Sequence, residues 1–223
     1  MALRYGVISV DDHVVEAPDV WTKRLSKAKF GDKIPQIVRG KDGADQWVVD
    51  GKPLGLAGVV QAGAAMRDRV DEPQRWEDVP KITAVPSERL KAMDLDRVDF
   101  SVLYPNVGGL AGETFGKLAD PALELACVQA YNDWIVDEWA KTSPRLVPQC
   151  IIPITPIDAA VAEIKRAVAK GCRGVVMPAI PMHLKDVPHI NEPIYDPIWK
   201  TASDLEVPIC FHAGSSKRIQ FPA

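Results

Sequence analysis

Apolar residues in this chain fall into short continuous blocks, and between the blocks they recur every three or four positions. The blocks at residues 4–10, 98–104, 146–152, 174–177 and 207–211 read as strands covered on both faces. Leu90, Met93 and Leu95 mark a helix that starts near Ser87 and feeds the second block. Another helix is predicted from Asp120 to about Lys141, with Asp120 as its cap and Pro121 at the first helical position, where a missing N–H costs nothing. Thr155-Pro156-Ile157-Asp158 reads as a capping box; Ile157, Val161, Ile164 and Val168 then share one helical face, and Gly171 closes the helix. Asp196-Pro197 opens a further helix that buries Ile198, Trp199, Ala202 and Leu205. Strands alternating with helices predict an α/β fold, with parallel strands joined by right-handed crossovers.

One segment interrupts this rhythm. Ile34-Pro35-Gln36-Ile37-Val38-Arg39, then Gly40-Lys41-Asp42-Gly43, then Gln46-Trp47-Val48-Val49 predict a β-hairpin with an Asp-Gly turn. Following the first strand, it is expected to lie over the C-terminal face of the sheet, where parallel α/β folds hold their active sites, and could roof a pocket there. Residues 54–75, rich in Gly, Ala, Arg and Asp, show no clear period and read as mobile loop with a short helix. The chain contains no internal repeat and no low-complexity tract.

Composition narrows the function classes. At 223 residues and 47% hydrophobic content, the chain can bury a substantial core. A net charge of -3 leaves no basic stripe for nucleic acid or an anionic membrane. No apolar run has spanning length and no N-terminal signal pattern is present, so a cytoplasmic location is expected. Cys127, Cys150, Cys172 and Cys210 are scattered among apolar neighbours without a Cys-x-x-Cys pair, which predicts buried free thiols rather than disulfides or a zinc ribbon.

The candidate chemistry gathers where the first strand ends, at Ile8-Ser9-Val10-Asp11-Asp12-His13-Val14-Val15-Glu16. Residues two apart on a strand point the same way, so Asp11 and His13 project to one side and Asp12 to the other. A carboxylate oxygen and a ring nitrogen placed together can grip a divalent cation. His212 ends the last apolar block and supplies a third donor. Glu16 reads equally as another carboxylate ligand or as a salt-bridged loop residue. Trp21 and Trp47, near the expected mouth, together with Asn106 and His183, are candidates for lining a substrate pocket; hairpin packing competes for the tryptophans, and an ordinary loop role for His183 and His189. Trp134, Trp139 and Trp199 fit crossover-helix core. Asn106-Val107-Gly108-Gly109-Leu110-Ala111-Gly112 lacks the Gly-Lys-Ser/Thr ending of a phosphate loop and reads as a flexible loop. No Gly-x-Ser-x-Gly elbow is present, and the cysteines lack a paired base.

Several motifs in order carry a resemblance: Asp11-Asp12-His13-Val14-Val15-Glu16 followed by Pro18-Asp19-Val20-Trp21; Arg89-Leu90-Lys91-Ala92-Met93-Asp94; Val98-Asp99-Phe100-Ser101-Val102-Leu103-Tyr104-Pro105-Asn106; and Tyr195-Asp196-Pro197-Ile198-Trp199 before the His212 strand. Together they resemble the amidohydrolase superfamily, in the branch of metal-dependent TIM-barrel hydrolases and decarboxylases related to aminocarboxymuconate semialdehyde decarboxylase. The resemblance implies a (β/α)8 barrel whose metal ligands match Asp11, His13 and His212. It implies one divalent ion, with zinc first and manganese the competitor, because Asp11 stands where a histidine is commoner. A barrel needs eight strands, so the expectation is an incomplete barrel of about five β/α units in one domain, 1–223, with 30–85 inserted after the first strand. The family's further histidine and its proton-transferring aspartate are expected beyond Ala223. The implied activity is hydrolysis of a small carbonyl or carboxylate substrate by a metal-activated water. Alternatives are decarboxylation of an aromatic or enoic acid and, from another class, a noncatalytic barrel fragment or interaction protein. The expected partner is a small-molecule substrate, with a homo-oligomer also allowed.

Overall fold

The computed structural model describes residues 6–56 and 75–212. Within them the strands are β1 (Ile8–His13), β2 (Gln36–Arg39), β3 (Asp45–Val49), β4 (Lys52–Leu56), β5 (Phe100–Tyr104), β6 (Leu146–Ile151), β7 (Gly174–Pro178) and β8 (Ile209–His212). Five of them form one parallel sheet in the order β1-β5-β6-β7-β8. Setting the insertion aside, that is chain order, and each step is crossed by a helix: α1 (Pro86–Leu95), α2 (Pro121–Trp134), α3 (Ile157–Lys170) and α4 (Asp196–Asp204). Parallel strands in sequential order with helical crossovers make an incomplete (β/α)8 barrel, as expected.

Local chemistry explains most of these elements. Asp120 Oδ1 accepts from the N–H groups of Ala122 and Leu123 at 2.9 and 3.3 Å, which satisfies two donors that the first turn of α2 cannot pair internally. α3 buries Ala160, Ile164 and Ala167 and stops at Gly171, whose φ of +140° excludes most side chains and where a Cβ would approach Val136 Cγ1 to 3.2 Å. β7 is buried along its whole length between β6 and β8, which accounts for its unbroken apolar run. Cys127, Cys150 and Cys172 are buried, Cys210 is partly so, and all are free thiols.

Several expectations change. The first strand runs over Ile8–His13 rather than 4–10, and residues 1–5 lie outside the described residues. Pairing with β5 (Asp12 opposite Leu103, His13 opposite Tyr104) carries the strand through two carboxylates that propensity alone would place in a loop. Between Ser9 and Asp12 this strand spends one residue more than β5, a bulge that re-aims the side chains following it. Leu95 is 84% exposed, because it sits two positions from buried Met93 and so on another face of α1. The capping box at Thr155 does not form; α3 is preceded by Pro156 with no side-chain cap. α4 opens at Asp196 as expected but ends at Asp204, leaving Leu205 36% exposed rather than buried. The helix expected to reach Lys141 is α-helical only to Trp134 and then widens, Lys141 N–H bonding Val136 O five residues back at 3.1 Å.

The predicted hairpin is present as β2 and β3, but a third antiparallel strand, β4, extends it. Asp50 and Gly51 both have positive φ (51° and 72°), the geometry of a two-residue turn that matches strand twist. The loop expected over 54–75 lies outside the described residues for 57–74. Among the described residues this sheet packs into the core: Trp47 and Val49 are buried there, with the Trp47 ring 5.4 Å from that of Trp21.

Candidate metal centre

β1 and β8 are the two ends of the described parallel sheet, yet their C-terminal side chains meet. His13 Nε2 lies 3.2 Å from His212 Nε2, His212 Nε2 lies 3.2 Å from Asp11 Oδ1, and His13 Nε2 lies 3.3 Å from Asp11 Oδ1. Strands four positions apart can do this only if the sheet curls, bringing inward-facing side chains to a common point. Tetrahedral coordination with bonds of about 2.0–2.1 Å separates neighbouring donors by about 3.3–3.4 Å, so the triangle fits one small divalent cation. Among the described residues this is the group of histidine, cysteine and acidic side chains arranged to hold a metal.

The electronic state of the site follows from its neighbours. His13 Nδ1 is 2.6 Å from Pro105 O; a carbonyl only accepts, so Nδ1 carries the proton and Nε2 presents a lone pair to the triangle. Burial, with the nearby His212 adding to it, pushes the His13 pKa down despite the opposing pull of the Pro105 hydrogen bond and of Asp11 and Asp12, favouring the neutral, ligating form. The Tyr104 ring, at the end of β5, packs 5.9 Å from His13 and 5.4 Å from His212. Behind the strand, Arg89 Nη2 donates to His13 O at 2.8 Å and Arg89 Nε to Ile82 O at 2.7 Å, clamping the end of β1 onto α1. Asp12 faces away from the triangle, as predicted, and accepts from Ser101 Oγ at 2.5 Å. A cleft of about 480 Å³ touches Asp11, Asp12, His13, Thr83 and Arg89.

The other expected site residues lie elsewhere. Among the described residues Glu16 is neither at the triangle nor in a salt bridge: it is wholly buried and accepts from the N–H groups of Asn106, Val107 and Gly108 at 3.0, 2.9 and 3.4 Å. Burial raises its pKa to about 7 although the amides pull it down. Trp21 is core, donating from Nε1 to Cys127 O at 3.0 Å, and Trp47 packs against it, so both are buried among the described residues, where apolar area places them. Asn106 is beside the site through its backbone. His183 lies in the loop after β7 with Nδ1 buried and unpartnered among the described residues, and His189 Nδ1 accepts from Asn191 N at 3.2 Å; neither joins the triangle. Arg89, Tyr104 and Pro105 received no role from the sequence. The one signal was positional, since Tyr104 and Pro105 sit at the C-terminal end of a strand.

A family profile described as Amidohydrolase matches residues 43–223. No curated protein matches the chain. Among solved structures, an amidohydrolase from Mycobacterium avium subsp. paratuberculosis superposes with a TM-score of 0.72 at 23% identity, covering 96% of this chain and 60% of that one. A 2,6-dihydroxybenzoate decarboxylase from Rhizobium gives 0.54 at 19% identity, covering 94% and 50%. A 5-carboxyvanillate decarboxylase from Novosphingobium aromaticivorans, complexed with manganese and a nitrobenzoic acid, gives 0.57 at 14% identity, covering 96% and 52%. The chain thus spans 50–60% of the length of these proteins, and the likeness is one of fold. With the sequence pattern matched over most of its length and the barrel reproduced over five parallel strands and the four helices that connect them, the chain belongs to the amidohydrolase family.

Proposed function

We propose that Asp11, His13 and His212 hold one divalent cation and that the chain supplies this centre to an enzyme acting on a small carbonyl or carboxylate substrate. The observation that carries the reading is the triangle of donors 3.2–3.3 Å apart, one of them fixed as a lone-pair nitrogen by Pro105. A bound cation supplies a lowered pKa to water and polarises an oxygen of the substrate. The residues of the chain aim and hold: the Pro105 carbonyl keeps the proton on His13 Nδ1, Arg89 fixes the strand carrying Asp11 and His13, and Tyr104 packs against both imidazoles. Zinc suits the two imidazoles and the tetrahedral spacing, while the Asp11 oxygen admits manganese, the ion bound in the 5-carboxyvanillate decarboxylase.

Hydrolysis of an ester, amide or lactone is the first reading of the reaction. Decarboxylation of an aromatic acid stands level with it, supported by the activities for which the Rhizobium and Novosphingobium neighbours are named. The chain is to be loaded with zinc or manganese, its metal content measured, and acid and CO₂ release followed over esters, lactones and hydroxybenzoates. We expect one ion per chain, lost in His13→Ala. Undiminished metal in that variant would remove His13 from the ligand set, and no metal in the wild type would end the proposal. Metal without turnover would favour the noncatalytic alternative.

A further inference from the structure

Glu16 lies three residues beyond His13 in a wholly buried position, and its carboxylate is spent on three successive backbone amides of the loop that follows β5. The first of those amides, Asn106 N–H, donates to Glu16 Oε1 at 3.0 Å. It belongs to the same peptide unit as the Pro105 carbonyl, which accepts from His13 Nδ1 at 2.6 Å. A peptide unit is planar and rigid, so holding its N–H also fixes the direction of its C=O. Donation from the N–H to an anion also polarises the unit, making its oxygen a stronger acceptor. Glu16 and His13 are therefore joined twice, once through Val14 and Val15 and once through the Pro105–Asn106 plane. The return path is clamped by Val14 N–H on Tyr104 O at 3.0 Å and Val15 N–H on Thr83 O at 2.8 Å.

We propose that Glu16 is a positioning residue for His13: through the Pro105–Asn106 peptide it fixes the Nδ1–H tautomer and the aim of Nε2. Carboxylates that bond directly to a ligating histidine do the same in many metal sites; here one peptide plane stands between them. The part concerning tautomer holds whether or not a metal binds, and the part concerning affinity rests on the metal reading above.

Glu16→Gln keeps the shape and removes the charge, and it turns an N–H₂ donor toward amides that are themselves donors. The test is made on the whole 223-residue chain, in chelator at about pH 8, where Glu16 is ionised. Histidine ring-nitrogen NMR reads the tautomers, assigned with single histidine variants, and zinc titration reads affinity. In the wild type His13 should be held as the Nδ1–H form. In Glu16→Gln it should become a mixture, and zinc affinity should fall about tenfold, the lower end of the range for lost partners of ligating histidines. Ile164→Val, a buried change in α3 that lowers stability alone, should move neither reading. A folded Glu16→Gln chain with the wild-type tautomer would overturn the proposal. If that variant does not fold, Glu16→Asp takes its place: its shorter carboxylate reaches fewer amides, and an unchanged tautomer there has the same force. A wild type with the Nδ1–H tautomer but no zinc uptake would refute the metal reading and leave the positioning role standing. Zinc uptake with a tautomer indifferent to Glu16 would do the reverse.

Discussion

Burial, more than residue type, decides what individual side chains do here. Asp11, His13 and His212 were legible because each donor ends an apolar run in a parallel α/β pattern, where side chains emerge at one face of the sheet. Glu16 belongs to the same short segment but turns inward, because β1 ends at His13 and Val14 and Val15 are pinned to Tyr104 O and Thr83 O. Its ionisation then yields a test. Burial raises its pKa to about 7 in the folded protein, from an ordinary value of 4.5. Between those values the folded chain holds a proton that the unfolded chain has released, so this group's contribution to stability falls as pH rises through the window. The loss is up to about 3 kcal/mol. Urea unfolding at about pH 5 and about pH 7.5 should therefore show a smaller loss of stability in Glu16→Gln than in the wild type. Equal losses in the two proteins would show that Glu16 does not titrate in this window.

Elements were readable where a local signal and the tertiary environment agree. Asp120-Pro121 starts α2 as its chemistry dictates, and Asp120→Ala should cost about 0.5–2 kcal/mol in urea unfolding with an unchanged slope. A loss below the error of that measurement would mean that water replaces the cap. Signals failed where context overrode them. Thr155 has the sequence of a capping box, but its side chain makes no cap, and Pro156 precedes the first turn of α3 instead. Asp50-Gly51 is a hairpin turn signal, but the residues after it lack strand alternation; β4 is held by its pairing with β3. The bulge in β1 has no sequence signature, since it is defined against β5.

At the scale of the molecule, the described sheet ends in two strands paired on one side only, and it exposes Val10 by 66% and Phe211 by 55%, whereas β7 between its neighbours is buried throughout. The three candidate ligands come from these two end strands. A cation held by them would therefore tie the first strand of the sheet to the last, and binding to the folded state alone should stabilise the chain. At a free metal concentration about a hundredfold above Kd the gain is about 2.7 kcal/mol. Urea midpoints measured with zinc and with chelator should differ accordingly, and His212→Ala should abolish the difference; equal midpoints in the wild type would mean that no such tie forms. By itself, the sequence determined the alternation of strand and helix, the strand ends at which donors gather, and the family, because burial periodicity and motif order are written in neighbouring residues. Only the tertiary structure decided that His13 and His212, 199 positions apart, approach to 3.2 Å, and which nitrogen of His13 is free to bind. It also decided that Glu16 and the tryptophans lie inside. These depend on sheet curl, on one bulge and on a peptide plane in the loop after β5, all of which arise from pairing and packing summed over the whole chain.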